Sequence, residues 1–273
     1  MTQEASPSGI LLADKPAGLT SHDMVARARR ALGTRRVGHA GTLDPFATGL
    51  LILLAGRATR LARYFVALPK TYEAVARLGA TSSTGDPEGT IVETGVVPDT
   101  LTLPLGTISQ RPPAHSAVKV DGERAYARAR RGEAVQTAER DVTVFESSIL
   151  WRERERVGLR FACSSGTYVR SLVADLGDAY CLELRRLAIG PFEVTGAWPG
   201  EGVAALASIA DGWARFGVTV TLDGAEVAAA EHGRPLPARG RAGAVLLLDA
   251  AGEAVAVASE RDGALRVEVG LRG

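Results

Sequence analysis

Two periodicities of apolar residues divide most of the chain into strands and helices. The aliphatic run Leu50 to Leu54 is typical of a strand that is buried on both faces. Shorter alternating or apolar stretches predict strands at residues 10–13, 70–78, 91–93, 116–120, 141–150, 157–163 and 184–189. We expect the strand at 91–93 to pair back onto the strand at 70–78. Helical spacing and capping residues predict helices from Thr20 or Ser21 to Leu32, and over 59–67, 123–131, 168–179 and 203–209.

The pattern changes from about Phe216 onward. Short strands alternate there with glycine-rich turns, at residues 218–222, 244–248, 254–258 and 265–269. This spacing is typical of a small β-rich barrel. We therefore predict a large domain over residues 9–212 and a small one over 213–273, preceded by a disordered segment at residues 1–8.

Composition limits the class of protein. The 273 residues are 46% hydrophobic, which is enough for a large core, and no apolar run reaches the roughly 18 residues of a transmembrane helix. The N-terminus lacks the basic start and apolar stretch of a secretory signal. Cys163 and Cys181 form no Cys-x-x-Cys motif, so neither a zinc site nor a disulfide is expected. These features predict a soluble, cytoplasmic protein.

The net charge of +1 conceals an uneven distribution of charge. Residues 27–63 contain eight arginines and one acidic residue, Asp44, whereas residues 201–273 contain seven arginines and ten acidic residues. A codon bias toward arginine would raise its frequency everywhere but would not cluster it. The guanidinium group binds phosphate in a planar fork and stacks on bases. The clustering therefore favours a surface that binds a polyanion such as RNA.

A glycine-containing loop precedes the aliphatic run and carries a single carboxylate. Gly38 and Gly41 allow positive φ or the close approach of a ligand. Pro45 disfavours a helical conformation at Asp44. Asp44 is therefore held on a bent loop at the start of a buried strand, where a reactive group is well placed. An isolated Asp-Pro is more commonly a simple turn, so other features must decide between the two interpretations.

Three further stretches carry side chains suited to chemistry. Tyr72 lies at the start of a predicted strand, Tyr168 and Arg170 begin a predicted helix, and Leu184 precedes two arginines. The sequence contains no P-loop, no GxGxxG motif, no nucleophile elbow and no paired metal-binding histidines. One aspartate, aromatic rings and an arginine partner suit chemistry on a flat, uncharged ring better than hydrolysis by a metal-bound water.

These stretches resemble, in order, the motifs of the bacterial TruB-type tRNA pseudouridine synthases. The sequence Gly-His-Ala-Gly-Thr-Leu-Asp-Pro-Phe-Ala-Thr-Gly-Leu-Leu at residues 38–51 resembles the catalytic motif of that family. The family's N-terminal signature, Tyr motif, RNA-gripping insertion and Tyr-x-Arg motif resemble residues 14–21, 70–72, 110–128 and 163–172. The resemblance covers roughly residues 9–192, and an ordered set of motifs is far more specific than any one of them.

The resemblance implies an α+β pseudouridine synthase fold. Its central sheet is mixed, largely antiparallel and flanked by helices, with an RNA-gripping insertion at about residues 107–140 and a PUA-like RNA-binding barrel at 213–273. The implied reaction converts the T-loop uridine at tRNA position 55 to pseudouridine. The N1–C1′ bond breaks, the uracil turns, and C5 bonds to C1′. The resemblance implies no metal or cofactor, a tRNA T-arm stem-loop as partner, no membrane, no obligate protein partner and a monomer.

The family's nucleophilic aspartate maps onto Asp44, which could attack the sugar, add to the base or remove the 2′-hydrogen. Tyr72 can stack on the flipped uracil, although it could equally be a core residue of a strand. Arg170 can pair with Asp44 and keep the carboxylate ionised and aimed, and its alternative is a phosphate-binding arginine.

Three further residues are expected at the substrate. Tyr168 can close the pocket, His39 can contact the flipped nucleotide or take the space it leaves, and Leu184 can form an apolar wall against the uracil. Each of them could instead be an ordinary structural residue. Two other functions stay open, namely a guide-RNA-dependent rRNA enzyme and an RNA-binding module without catalysis. The acidic C-terminal segment argues against the first, and a carboxylate beside phosphates argues against the second.

Overall fold

A nine-stranded sheet and a five-stranded sheet dominate the structure, a computed structural model that describes residues 7–113, 119–120, 123–124, 131, 133 and 137–272. The strands are β1 (Gly9–Lys15), β2 (Val37–His39), β3 (Thr48–Ala55), β4 (Lys70–Leu78), β5 (Ala80–Ser82), β6 (Ile91–Glu93), β7 (Gly106–Gln110), β8 (Lys119–Val120), β9 (Glu123–Arg124), β10 (Arg140–Glu153), β11 (Arg156–Cys163), β12 (Ala179–Ile189), β13 (Phe192–Glu193), β14 (Val218–Thr221), β15 (Leu236–Pro237), β16 (Ala244–Leu248), β17 (Ala254–Arg261) and β18 (Ala264–Gly270). The helices are α1 (Ser21–Ala31), α2 (Ala62–Ala67), α3 (Val169–Ala174), α4 (Ile209–Ala214) and α5 (Gly224–Glu231). Among the described residues, no helix is both long enough and apolar enough to span a bilayer.

The large sheet confirms the expected mixed, largely antiparallel α+β architecture. Its strands lie in the order β1-β3-β12-β4-β11-β10-β7, with β2 paired to β3 and β13 paired to β12. The pairing of β3 with β12 is parallel, and the other pairings in this sheet are antiparallel. The three central strands β3, β12 and β4 therefore bring together segments that are distant in sequence.

Strand β3 is buried on both faces, as its aliphatic run predicts. Alternate side chains of a strand point to opposite faces of the sheet. Leu50, Ile52 and Leu54 accordingly belong to one apolar cluster, which also contains Phe65 and Trp213. On the other face of the strand, Leu51, Leu53 and Ala55 belong to a second apolar cluster, which also contains Met24 and Trp198. The loop before β3 is thus attached to the most deeply buried strand of the sheet.

Helix α1 forms as its sequence predicts. Thr20 is the N-cap, and a reciprocal capping box joins it to Asp23. Met24, Val25 and Ala28 are buried at helical spacing against the sheet. The chain leaves the helix through Gly33, whose φ of 62° is favourable for glycine.

Three predicted helices differ from the structure in their extent. The helix expected over 168–179 ends at Ala174, because Gly177 with φ of 121° turns the chain into β12. The helix expected over 203–209 is absent there, and α4 instead begins at Ile209, where Ser208 caps it by accepting from the Asp211 amide. The segment predicted at 59–67 consists of a 3₁₀ helix at Gly56–Leu61 followed by α2.

One predicted strand pairing and one predicted helix also need correction. The strand Ile91–Glu93 pairs with β5 rather than with β4, because both edges of β4 are already occupied by β11 and β12. Glu123 and Arg124, predicted to begin a helix, form strand β9 opposite β8. The rest of that predicted helix up to residue 130, and residues 116–118 of the predicted strand, lie outside the described residues, as do residues 1–6. The end of the predicted connector at 94–106 begins β7, which the sequence pattern did not indicate.

The C-terminal strands form a curled five-stranded sheet in the order β14-β16-β17-β18-β15. Strands β14 and β15 are its two edges, so the predicted barrel is an open half-barrel. The helix α5 at its side was not predicted. Leu246, Val257 and Leu271 share one apolar cluster with Leu50 of β3. The small sheet therefore packs directly onto the layer behind the central strand.

Candidate active site

A cavity of about 370 Å³ opens where the loop before β3 meets β4, β12 and the start of α3. Five of the six residues predicted for the site line it: Asp44, Tyr72, Tyr168, Arg170 and Leu184. The wall also contains three cationic residues that were given no role from the sequence, namely Lys70, Arg140 and Arg186. The cavity therefore combines one carboxylate, two phenol rings and a basic surround.

The loop that carries Asp44 is fixed by groups from three distant elements. Lys15 is buried, and its ammonium donates to the carbonyls of Leu19 (2.7 Å) and Pro45 (3.2 Å). The Ser21 hydroxyl accepts from the amide of Leu43 (2.9 Å) and donates to its carbonyl (3.2 Å). Three anchored backbone positions next to the carboxylate leave it little freedom of position.

Arg186 closes the other side of the same loop. Its buried guanidinium donates to the carbonyl of Leu50 (2.6 Å), and to those of Thr42 (3.3 Å) and Gly41 (3.2 Å). Where β3 meets β12, Gly49 has φ of 106°, and a Cβ there would lie 2.2 Å from the Arg186 carbonyl oxygen. Only glycine fits this approach of the two strands, so the glycine at position 49 serves packing rather than the substrate.

Asp44 and Arg170 form an ion pair, as the sequence predicts. The Asp44 Oδ2 atom lies 2.9 Å from the Arg170 Nε atom, and the side chains are 28% and 3% exposed. Arg170 also donates through Nη1 to Asp86 Oδ2 (2.9 Å) and to the Thr84 carbonyl (2.7 Å). The guanidinium thus bridges two carboxylates, of which Asp86 is buried and Asp44 faces the cavity. Asp86 therefore fixes the position of Arg170, and Arg170 fixes the orientation of the Asp44 carboxylate.

Burial raises the pKa of the Asp44 carboxyl above its ordinary value, and the Arg170 guanidinium opposes that rise. The charge of Asp86 adds to the rise, so the two carboxylates compete for one arginine. Burial disfavours the charged form of Lys15 as well, and it lowers the pKa of that ammonium to about 8. A carboxylate with little water and one cationic partner retains more of its basicity and nucleophilicity than a hydrated one.

Tyr72 and Leu184 form walls of the cavity beside Asp44. Both are largely buried, and they lie on neighbouring central strands, β4 and β12. Burial raises the pKa of the Tyr72 phenol, so the ring stays neutral over the physiological range. A neutral ring and an aliphatic side chain in one cavity wall form a suitable surface for a planar base.

Tyr168 lies at the mouth of the cavity, where α3 begins. Its backbone amide donates to the Gln110 side-chain oxygen (2.8 Å), and the Gln110 amide nitrogen donates to its carbonyl (3.0 Å). The guanidinium of Arg140 stacks over its ring at 5.2 Å from the centroid and donates to the Gly166 carbonyl. The ring is half-buried, so the tyrosine and the arginine together form one rim.

His39 is the one predicted site residue that lies outside the cavity lining. It ends β2, and its ring meets that of His22 edge to face, with centroids 5.3 Å apart. The predicted contact of His39 with the flipped nucleotide therefore has no counterpart in the cavity itself.

Sequence reasoning missed three residues that hold the site together. Asp86, Lys15 and Arg186 are all charged and buried, and charged side chains are rarely buried without a specific partner. Asp86 occurs in an Asp-Pro pair within a predicted loop, as Asp44 does, and that repetition was the available signal. The partners that join Lys15, Asp86 and Arg186 to the site are Pro45, Arg170 and Leu50, respectively. These partners are 30, 84 and 136 residues away in sequence, so the pattern alone gave the three residues no role.

The arrangement is suited to chemistry on a planar substrate. One oriented carboxylate, aromatic rings and an aliphatic side chain line the cavity, together with the cationic residues Lys70, Arg140 and Arg186. Such a site can hold an uncharged ring against a nucleophile while it binds neighbouring phosphates.

Comparison with known proteins gives consistent results. The model of the TruB family pseudouridylate synthase N-terminal domain matches residues 29–169. A tRNA pseudouridine synthase B from Thermobifida fusca is 41% identical, over 97% of this chain and 99% of its own length. A protein of the same name from Mycobacterium bovis is 40% identical, over 98% of this chain and 97% of its own length.

Solved structures agree on the fold. A crystal structure of a Cbf5-Nop10-Gar1 complex contains a chain that is 25% identical, with a TM-score of 0.66 over 97% of this chain and 85% of the other. A chain in an H/ACA RNP bound to a substrate RNA is 22% identical, with the same TM-score, and shows the fold alone. The family model and the near full-length relatives agree with the geometry of the cavity, and the chain belongs to the TruB family of pseudouridylate synthases.

Proposed function

We propose that this chain is a tRNA pseudouridine synthase, which isomerises the T-loop uridine at position 55 with Asp44 as its catalytic residue. The relatives that support this substrate are named tRNA pseudouridine synthase B. The reaction breaks the N1–C1′ bond and forms a C5–C1′ bond on the same uracil. Because product and substrate are isomers, the reaction consumes no redox cofactor.

The observation that carries the proposal is the Arg170–Asp44 pair at the wall of the cavity. The cavity-facing carboxylate lies 2.9 Å from a guanidinium that is itself held by buried Asp86. An RNA-binding module would not need a carboxylate in a basic cleft, since it would repel phosphate. A nucleophile that must meet one atom of a mobile base does need such fixed aim.

The other predicted residues fit roles in binding the flipped base. A uridine stacked in a folded loop must leave the stack to reach Asp44, at a cost of a few kcal/mol. Tyr72 would stack on the uracil, an interaction worth about 1–3 kcal/mol, and Leu184 would close the opposite side. Tyr168 would cover the entrance. His39, outside the cavity, would contact the loop from which the nucleotide departs.

The basic surround fits the backbone of the T-arm stem-loop. Arg140 lines the cavity and is partly exposed, and eight arginines lie within residues 27–63. Lys70 and Arg186 also line the cavity, but their cationic groups are buried and donate to backbone carbonyls. Phosphate contacts position an RNA without reading its sequence. We further propose that the enzyme acts in the cytoplasm as a monomer without an obligate protein partner, and that residues 213–273 form a PUA-like domain with a weak or stabilising contribution.

Tritium release from tRNA that contains [5-³H]uridine tests the proposal, since C5 loses its hydrogen when it bonds to C1′. We expect the wild type to release tritium from one position, mapped to the T-loop, and Asp44→Asn to release none. Loss of the carboxylate removes the nucleophile but few RNA contacts, so the affinity for tRNA should stay within a few-fold of wild type.

Asp99→Asn is the matched control, because Asp99 is an exposed aspartate outside the cavity lining. It should react like the wild type. Tritium release by Asp44→Asn at the wild-type rate would refute the assigned role. Release only after addition of a guide RNA, with rRNA as substrate, would support the guide-dependent class instead, and binding without any release would support an RNA-binding module.

A further inference from the structure

A second basic cavity lies apart from the catalytic one. It has a volume of about 350 Å³, and Arg27, Arg30, Trp198 and Glu201 are among the residues that line it. No residue lines both cavities. The arginines belong to α1, one turn apart, and the tryptophan follows the β13 strand. The cavity therefore lies between the helix and the segment that leads toward α4.

Neither arginine in this second cavity forms a close ion pair, and Arg27 has only a through-space electrostatic interaction with Asp23, one turn earlier on α1. Neither Arg27 nor Arg30 forms an ion pair or a side-chain hydrogen bond with another described residue. Most other arginines near the sheet do have one: Arg29 donates to the Val37 carbonyl, and Arg185 pairs with Asp14. Two unpaired guanidiniums on one face of a helix attract an oxyanion.

The indole nitrogen of Trp198 is a buried donor without a hydrogen-bond partner among the described residues. This atom has almost no accessible surface, so it lies behind the wall of the cavity, and its surroundings report on the packing of that wall. Gly200 lies beside it, and a Cβ there would come within 3.2 Å of the Arg27 Nη1 atom. Arg27 is thus held against the wall of the cavity that Trp198 lines.

We propose that Arg27 and Arg30, in the cavity that Trp198 also lines, form a phosphate site for the backbone of the substrate RNA, distinct from the site of the flipped nucleotide. This inference rests on the proposed function. Helix α1 begins at Ser21, which contacts the catalytic loop, and a rise of about 1.5 Å per residue places Arg30 about 14 Å farther along the helix. The site would therefore hold a phosphate several nucleotides away from the reacting uridine.

Because Glu201 opposes the two arginines, substitutions at this site should be able to weaken or to strengthen the binding of RNA. The exposed Glu201 carboxylate lines the same cavity and opposes the binding of an anion there. Arg27→Gln combined with Arg30→Gln should raise KM for a tRNA transcript about tenfold and leave kcat unchanged, because charged hydrogen bonds are lost far from the chemistry. The slope of log affinity against log salt should fall by about one. Glu201→Gln should lower KM.

The NMR signals of the tryptophan indole N–H groups provide an independent measurement. Of the three tryptophans, Trp213 donates its indole N–H to the Val218 carbonyl (3.1 Å), and Trp151 is exposed. The indole signal that disappears in Trp198→Phe is that of Trp198. In ¹⁵N-labelled Asp44→Asn, which cannot turn over, tRNA should shift the Trp198 signal, and the two arginine substitutions should abolish that shift.

Arg154→Gln is the control for the loss of an arginine charge at the surface, in the exposed β10–β11 turn, and should leave KM unchanged. A double arginine variant with the KM of this control, or a Trp198 signal that tRNA does not move, would overturn the inference. A shift with inorganic phosphate but none with tRNA would overturn the assignment to RNA. If wild type released no tritium while tRNA still shifted Trp198, the proposed function would fail and the phosphate site would stand.

Discussion

Arginine–carboxylate pairs occur beside both the nine-stranded sheet and the C-terminal sheet, at similar distances but with arginines that differ in burial. The side chains of Arg170 and Asp44 lie 2.9 Å apart and are 3% and 28% exposed, whereas those of Arg239 and Glu226 lie 2.5 Å apart and are 36% and 16% exposed. Water and salt screen the second pair and leave it worth little. The first pair lies where screening is weak and where loss of one partner leaves a buried charge. Distance alone therefore does not reveal which pair matters.

The largest effect is expected where the buried pair is broken. Arg170→Gln leaves Asp86 buried without its cation and Asp44 without its guide. We expect the free energy of unfolding to fall by about 3–5 kcal/mol, and single-turnover tritium release to fall at least about 100-fold. Urea unfolding and rapid-quench assays measure the two quantities. A folded variant that keeps activity within tenfold of wild type would show that Arg170 does not position Asp44.

The contributions of Asp44 and Glu268 to stability should change in opposite directions as the pH falls. Burial raises the pKa of Asp44, so the folded state binds its proton before the unfolded state does. A hydrogen bond from Ser259 lowers the pKa of Glu268 in the C-terminal sheet, so the folded state binds that proton later. The contribution of Asp44 to stability therefore improves as the pH falls through its folded pKa. The contribution of Glu268 is present above its ordinary value and is lost as the pH falls through its lowered one.

Urea unfolding between about pH 4 and pH 7 checks these signs. The stability of wild type minus that of Asp44→Asn should rise on acidification, and the difference between wild type and Glu268→Gln should shrink. Parallel curves for the two differences would mean that the two carboxylates experience similar surroundings.

The smallest effect is expected at the exposed pair. Arg239→Gln should change the free energy of unfolding by less than about 1 kcal/mol, because the pair is screened by solvent. Tritium release should match that of wild type. The variant also controls for the loss of one arginine in Arg170→Gln. A change of several kcal/mol in Arg239→Gln would show that the comparison between the regions is wrong.

Sequence patterns predicted the local features of the fold. The aliphatic run of β3, the capping box of α1 and the hairpin strands β10 and β11 all follow from nearest neighbours in sequence. The extents of α3 and α4 did not follow, since Gly177 and Ser208 ended or began those helices against the apolar periodicity. Strand β6 was assigned to the wrong partner because the occupied edges of β4 are a property of the whole sheet.

The candidate site was predictable only in part, because sequence motifs are local whereas the contacts that hold the site together are not. Asp44, Tyr72 and Arg170 belong to recognisable motifs, and the structure brings them to one cavity, while their roles stay predictions. Asp86 and Arg186 act through partners that are 84 and up to 145 residues away in sequence. Their burial becomes visible only when the sheet is assembled, so a linear pattern could not identify them.

The contacts of Arg186 also set the order in which the protein can become active. This side chain joins β12 to the carbonyls of Gly41, Thr42 and Leu50 across sequence separations of 145, 144 and 136 residues. During synthesis, the loop that carries the carboxylate emerges long before its anchor does. Contacts with such large separations form slowly, because loop closure must precede them. A nascent chain therefore lacks the Arg186 anchor of the catalytic loop until β12 has left the ribosome.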